Sequence, residues 1–493
     1  MIDIEIFRTN PEIVRQDLKK RRELEKLRWV DEIIEKDKEW RAGLLRLQDL
    51  QHTRNTLSLQ INEFKKAGKD IAPVIAQVKA IPQQIDQQQR RCNELSQSVE
   101  ERIRKLPNIT HESVPYGKDT TENVTVRTWG KPRSYNFPLK NHAEVAEAIG
   151  VADFDRSAKI SGKGFYFISG GLAQLNQALL RFAIDALIKK GYRLLEPPFM
   201  IRREPYSGVT DLADFENVMY KIEDEDAYLI ATSEHPICAY FMNETIDEDL
   251  LPLKFAGISP CFRKEVGAHG IDEKGLFRTH QFWKVEQFIF CRPEDSWKLH
   301  DEMIKAAESL FQHLDIPHRV VNICTGDLGT VAAKKYDIDA WMPRSKEYKE
   351  VVSGSNCTEW QSRRLNIRYG KEGGQKRYVH TINCTAIATS RAMVAILENY
   401  QNADGSVTIP KVLRPYMNGM KVISSSSEQA FEKKRDKKNK RDRTTGQTIK
   451  INNSKNGKDN KNDKESERAP IKQKIKLRPD KKKSGSPSKT KQK

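Results

Sequence analysis

The chain has 493 residues, 37% of them hydrophobic, with a mean hydropathy well below zero. That length suits two or three domains of ordinary size, with much of the chain exposed or extended; no apolar run of about 18 residues appears, which excludes an evident membrane helix. The net charge of +18 is local: from Ser424 to Lys493 there are 24 Lys/Arg against 9 Asp/Glu, so +15 belongs to the tail and the body is nearly neutral.

The first region, residues 1–107, opens without the apolar stretch of a signal peptide. Val30, Ile33, Trp40, Leu44, Leu47, Leu57, Ile61 and Phe64 recur mostly at three-, four- and seven-residue spacings. Val74, Val78, Ile81, Ile85, Cys92, Leu95 and Val99 do the same, with Gln88 filling one slot. This is a coiled-coil seam. The turn signal Lys65-Lys66-Ala67-Gly68-Lys69-Asp70 joins the two stretches into an antiparallel hairpin. At ~1.5 Å per residue, some 35 residues make an arm about 50 Å long. Pro82 is expected to kink the second helix or delay its start. Oligomerisation is the commoner use of such heptads, and periodicity alone favours an oligomerisation coiled coil.

Residues 108–423 read as a mixed α/β domain. Helices are expected over 172–190, 294–314 and 386–400, and strands at Ala227–Ile230 and Phe288–Phe290. The third region, residues 424–493, is rich in Lys, Asn, Asp and Ser and reads as a disordered basic tail, RNA-binding or merely solubilising. The seven cysteines are scattered and contain no CxxC pair, which disfavours a disulfide framework or zinc ribbon and fits the reducing cytoplasm.

The chemistry concentrates between residues 262 and 288. Phe262-Arg263-Lys264-Glu265 and His280-Gln281-Phe282-Trp283-Lys284-Val285-Glu286 read as two strands joined by a glycine-bearing loop. Alternation puts Phe282, Lys284, Glu286 and Phe288 on one face. A carboxylate between two phenylalanines is costly unless a cation or hydroxyl meets it. A solvated charged hairpin is the plain alternative.

This stretch resembles motif 2 of the class II aminoacyl-tRNA synthetases, in its seryl form. Four further segments resemble the same family in the expected order. They are Glu196-Pro197-Pro198-Phe199 (motif 1), Thr232-Ser233-Glu234, the run Glu350-Val351-Val352-Ser353-Gly354-Ser355-Asn356, and Thr389-Ser390-Arg391 (motif 3). The resemblance covers residues 1–423. It implies an antiparallel α+β catalytic sheet flanked by helices, preceded by a coiled-coil arm that contacts tRNA(Ser). The arm's Arg41, Arg46, Arg54, Lys65, Lys66, Lys69, Arg90 and Arg91 would then meet phosphates. Each of these charges taken singly also suits a solvated helix face.

The implied reaction is activation of serine by ATP and transfer to the 3' end of tRNA(Ser), with service to tRNA(Sec) left open. By the same resemblance, Arg263, Glu265 and Arg391 are catalytic. Arg263 holds the α-phosphate and serine carboxylate, Arg391 the γ-phosphate, and Glu265 the adenine amino group, with Phe282 stacked on the base. Lys264, Thr279, His280, Gln281, Val351 and Val352 complete the ATP set, and Glu350 with Ser353 would coordinate Mg²⁺. Thr232, Ser233 and Glu234 fall on the ammonium side of serine; Glu286, Thr385 and Asn383 fall on its hydroxyl side. Asn383 and Thr385 also suit ordinary helix-entry caps.

A homodimer built through motif 1 follows from the class. The motif 2 loop departs from the family, with Ile271 where a basic residue is common and Lys274 nearby. A rarer zinc-dependent seryl type has only Cys357, Glu359 and Cys384 as loose candidate ligands here. An RNA-binding relative that lost catalysis should lack Arg263, Glu265, Glu286 or Arg391, and the sequence has all four.

Overall fold

The computed structural model describes residues 1–212, 216–265 and 274–425. The tail from residue 426 onward and the motif 2 loop at 266–273, including Gly270 and Ile271, lie outside the described residues.

Two short helices, α1 (Ile4–Thr9) and α2 (Glu12–Lys20), precede the long pair α3 (Leu27–Lys66) and α4 (Ala72–Arg104). The pair is antiparallel, as its cross-links show: Arg102 to Glu32 at 3.0 Å, Arg91 to Glu39 at 3.0 Å, and Gln88 Nε2 to Gly43 O at 3.1 Å. Gln88 occupies a seam position because Gly43 lets it in; a Cβ there would stand 2.8 Å from Gln88 Nε2. At ~1.5 Å per residue the 40-residue α3 is about 60 Å long. The delayed start expected from Pro82 does not occur. α4 begins at Ala72 and runs through Pro82, the partner helix supplying packing that an isolated helix lacks. At the base of the arm, Asp37 is buried between Arg8 of α1, at 2.6 Å, and Arg41, at 2.9 Å.

Further elements position the site: α5 (Gly170–Ile188), β2 (Arg193–Leu195), β3 (Leu253–Phe262), β4 (Gln281–Cys291) and α6 (Ser296–His313). They are joined by β5 (His318–Asn322), β6 (Lys334–Met342), β7 (Glu347–Asn356), β8 (His380–Ala388) and α8, which we number after the short α7 (Trp360–Leu365) and which spans Thr389–Asn399. With β1 (Val124–Trp129) the eight strands run in the order β1-β5-β6-β7-β8-β4-β3-β2. All pairs are antiparallel except β2 with β3. Helices α5, α6 and α8 cover one face through a single apolar core that includes Leu179, Met303, Val285, Ile382 and Ile396.

Two expectations need correction. The helix expected from Ala386 begins at Thr389, because β8 continues to Ala388. Asn383 and Thr385 therefore stand within a strand and cap nothing. The strand expected through Arg263-Lys264-Glu265 ends at Phe262, although Arg263 N still donates to His280 O at 2.9 Å. Among the described residues no helix is long and apolar enough to cross a membrane.

Candidate active site

On the sheet face away from the three helices, polar side chains stand where a packed strand would carry apolar ones. Alternation along β4 sends Val285 and Ile289 to the helical core and Phe282, Lys284 and Glu286 to this face, into a cavity of about 530 Å³. Cross-strand register then decides the neighbours: Thr385 of β8 and Gly257 of β3 lie on either side of Glu286. Gly257 permits a close approach. A Cβ there would lie 2.7 Å from Ser233 Oγ and 2.4 Å from Ile237 Cδ1, so the short helix Glu234–Cys238 settles directly on the sheet and brings Glu234 to the cavity.

Two irregularities in the ladder aim the remaining groups. In a regular strand, residues three apart face opposite ways. The register shifts between Ile338 and Asp339 opposite β7, so Glu350 and Ser353 both enter the cavity. A second shift, between Thr385 and Ile387, does the same for Thr385 and Ala388. Bulges of this kind re-aim side chains beside active sites.

At one end of the cavity stand Thr232, Glu234, Glu286, Asn383 and Thr385. Lys284 Nζ lies 2.5 Å from Glu286 Oε2, with side-chain exposures of 6% and 2%. Thr385 Oγ1 donates to the same carboxylate oxygen at 3.3 Å. Burial pushes Glu286 above its ordinary range, and Lys284 pulls part of the way back. Glu234 Oε1 accepts from Asn383 Nδ2 at 3.2 Å and from Gln361 Nε2 at 3.3 Å. Burial, then the field of Glu286, raises Glu234 to about 7.

Glu265, Phe282, Glu350, Val351, Ser353 and Arg391 line the same cavity, and Arg263 stands near enough to both groups for its charge to act on Glu234, Glu286 and Glu350. The Arg263 guanidinium lies 5.3 Å from the Phe282 ring centre. Arg391, the third residue of α8, donates to Glu350 O at 3.0 Å and Oε1 at 2.9 Å. Enclosure by protein pushes the Glu350 carboxyl up, but the fields of Arg391, Lys335 and Arg263 outweigh it and hold the group below its ordinary range. Glu265 has φ 47°, left-handed backbone that costs a non-glycine residue about 1–2 kcal/mol.

The donor set fits a hard divalent ion. Glu350 and Ser353 offer oxygens to one cavity, and across the ladder from Ser353 the buried Asp337 Oδ1 has no hydrogen-bond partner among the described residues.

The other residues named from sequence stand outside the cavity lining. Ser233 is fully buried against Gly257, and Val352 belongs to the helical core. Lys264 lies 5.9 Å over the Tyr220 ring. The His280 ring bonds Tyr220 Oη at 2.6 Å and stacks on Phe165. Gln281 is exposed on the opposite side of β4, and Thr279 is buried with its hydroxyl unpartnered among the described residues. Lys274, the basic residue near the departed loop position, is paired with Glu147 at 2.8 Å and Asp155 at 3.4 Å.

Sequence reasoning missed Asp337 and the segment 328–332 and gave Gln361 no role at the site, although all stand beside or within the cavity wall. Asp337 carries the same signal that exposed Glu286, an acid within the apolar run Tyr336–Met342. Residues 328–332, Leu-Gly-Thr-Val-Ala, hold no ionisable side chain and carry no such signal.

Residues 219–400 match the family model for the tRNA synthetase class II core domain (G, H, P, S and T), and residues 1–110 match the seryl-tRNA synthetase N-terminal domain. A serine–tRNA ligase from Methanocella arvoryzae is 57% identical over 425 residues, covering 86% of this chain and 100% of the relative. The chain belongs to the seryl-tRNA synthetase family. Within that family, the serine–tRNA ligase of Pyrococcus horikoshii is 50% identical over 444 residues, 86% of this chain and 98% of the relative. The crystal structure of seryl-tRNA synthetase from P. horikoshii complexed with ATP superposes with a TM-score of 0.83, at 50% identity, over 86% of this chain and 99% of that one. The cytoplasmic serine–tRNA ligase from Naegleria fowleri in complex with AMP gives 0.78 at 38% identity, over 86% and 99%.

Proposed function

We propose that this cavity activates serine with ATP, and that the chain then transfers the seryl group to the 3' end of tRNA(Ser). The observation that carries the reading is one cavity that holds both the buried Glu286–Thr385 pair and the charged groups Arg263, Arg391 and Glu350. The serine carboxylate oxygen attacks the α-phosphorus of ATP, and the bond to the departing pyrophosphate breaks. The tRNA terminal hydroxyl then attacks the seryl carbonyl carbon, and AMP leaves.

Neither step needs a covalent bond to the enzyme. Catalysis is positioning and charge stabilisation, and rigid guanidiniums suit both. Glu234 accepts the serine ammonium, and Glu286 with Thr385 binds the hydroxyl. Threonine is excluded only by size, which discriminates weakly; alanine is excluded because it leaves buried polar groups unpaired. Glu265 and Phe282 bind adenine. Glu350 and Ser353 would hold Mg²⁺, which when bound would neutralise phosphate charge.

Residues 1–107 serve as the tRNA(Ser) arm, 108–423 as the catalytic domain and 424–493 as a basic tail. Arg46, Lys65, Lys66 and Arg90 favour the arm's role, since none forms an ion pair among the described residues. Two copies associate along the β2 edge, where Ile188, Leu194, Phe199 and Met200 are exposed. Seven unpaired thiols favour a reducing cytoplasm. A relative without catalysis has no support, since Arg263, Glu265, Glu286 and Arg391 all face the cavity.

The test is amino-acid-dependent ATP–pyrophosphate exchange with serine, threonine, alanine and no amino acid, with chelator and with Mg²⁺ restored. Exchange with serine, abolished by chelator, is expected. Absence of exchange from folded protein with every amino acid overturns the reading.

A further inference from the structure

The wall of the cavity at 328–332 is held from outside the catalytic sheet. Asn108 N donates to Thr330 O at 2.8 Å, and the flanking carbonyls are gripped by one guanidinium, Arg21 at the end of α2, whose side chain is 2% exposed. Arg21 Nη1 donates to Gly329 O at 2.7 Å, and Nη2 donates to Ala332 O at 3.1 Å and Asn108 O at 2.7 Å. Nε donates to Asp17 at 3.1 Å, so the buried charge is compensated. Asn108 extends the clamp. Its Nδ2 donates to Val331 O at 3.0 Å and to Cys357 O at 2.8 Å.

One amide nitrogen touching both carbonyls ties the 328–332 wall to Cys357. Cys357 Sγ in turn accepts from Asn383 Nδ2 at 3.5 Å, and the same nitrogen donates to Glu234 Oε1 at 3.2 Å. The chain of contacts therefore ends at the amino-acid side of the cavity. Three backbone carbonyls aimed at one desolvated guanidinium need its planar fork.

We propose that Arg21 is a positioning residue for serine: it sets the 328–332 wall, and through Asn108 the Cys357–Asn383–Glu234 contacts, without touching substrate. The proposal rests on the assignment of this end of the cavity to serine.

In ATP–pyrophosphate exchange by the full chain, Arg21→Ala is expected to raise KM for serine by about tenfold or more, with KM for ATP changed less than about twofold. Arg21→Lys keeps the charge beside Asp17 but cannot span Gly329 and Ala332, so it recovers only part of the loss. A folded Arg21→Ala with unaltered KM for serine overturns the proposal. So does a uniform decline, in which both KM values and kcat change in step with a lowered melting temperature. If Arg21→Ala does not fold, Asn108→Ala leaves the Arg21–Asp17 pair intact and carries the same expectation, with the same refuting results. Wild-type chain lacking serine-dependent exchange refutes the functional reading; active wild type with a silent Arg21→Ala refutes only this inference.

Discussion

Glu286→Gln separates what Glu286 does for the fold from what it does for serine. Its carboxylate is 2.5 Å from Lys284 Nζ, and both side chains are almost wholly buried. Neutralising one partner of such a pair leaves the other charge uncompensated, at a cost of about 3–5 kcal/mol. Loss of a charged acceptor for the serine hydroxyl removes a further ~1.5–3 kcal/mol from binding and transition state. At ~1.4 kcal/mol per decade that is about a 10- to 150-fold fall in kcat/KM for serine. Alanine has no hydroxyl, so its kcat/KM should hardly move, and the serine-to-alanine ratio should collapse by the same factor. The assays are denaturant unfolding and pyrophosphate exchange with both amino acids. Adding Lys284→Met removes the stranded charge and should restore most of the stability while leaving serine use impaired. If the double variant regains wild-type kcat/KM for serine, Glu286 acts only by holding Lys284, and the reasoning fails.

Other predictions concern different parts of the cavity. Glu234 titrates at about 7, and only its ionised form pairs with an ammonium group. KM for serine should therefore rise about tenfold per pH unit below pH 7 and level off above it; a flat profile measured between about pH 8 and pH 6 would count against Glu234. Arg391→Lys keeps the charge but loses the guanidinium fork that bonds Glu350, and single-turnover activation should slow by about 10²–10³. An unchanged rate would remove Arg391 from the chemistry. Gly257→Ala drives a methyl to 2.4 Å from Ile237; it should destabilise by about 1–3 kcal/mol and raise KM for serine, as read by thermal unfolding and exchange. Unaltered values would mean that the helix carrying Glu234 has slack.

Legibility tracked the range of the forces involved. The arm was readable because both helices repeat a seam that each buries against the other. Even the polar slot at Gln88 proved to be a fitted contact with Gly43. Glu286 was readable because alternation along β4 put an acid between two phenylalanines. The segment His380–Asn399 was misdivided: it holds no glycine or proline to mark where a buried strand gives way to a helix, and the strand continued to Ala388 because β4 supplied its hydrogen bonds. Adjacency in sequence was a poor guide around Phe282. His280 and Gln281 lie next to it in the chain, yet His280 packs on Tyr220 and Phe165 and Gln281 faces away.

By itself the sequence determined the helical arm, the α/β body and the family, and it named Arg263, Glu286, Glu350, Thr385 and Arg391 among the residues that meet in the cavity, because periodicity and residue chemistry are local properties. Only the tertiary structure decided how those residues share one space. The bulges beside Glu350 and Thr385 exist only against a partner strand. Gly257 matters only because Ser233 and Ile237 come down on it. Arg21 reaches Gly329 across 308 residues of chain. Each of these is a long-range contact whose partner is chosen by packing and by the need to satisfy buried polar groups, and no local pattern encodes that choice.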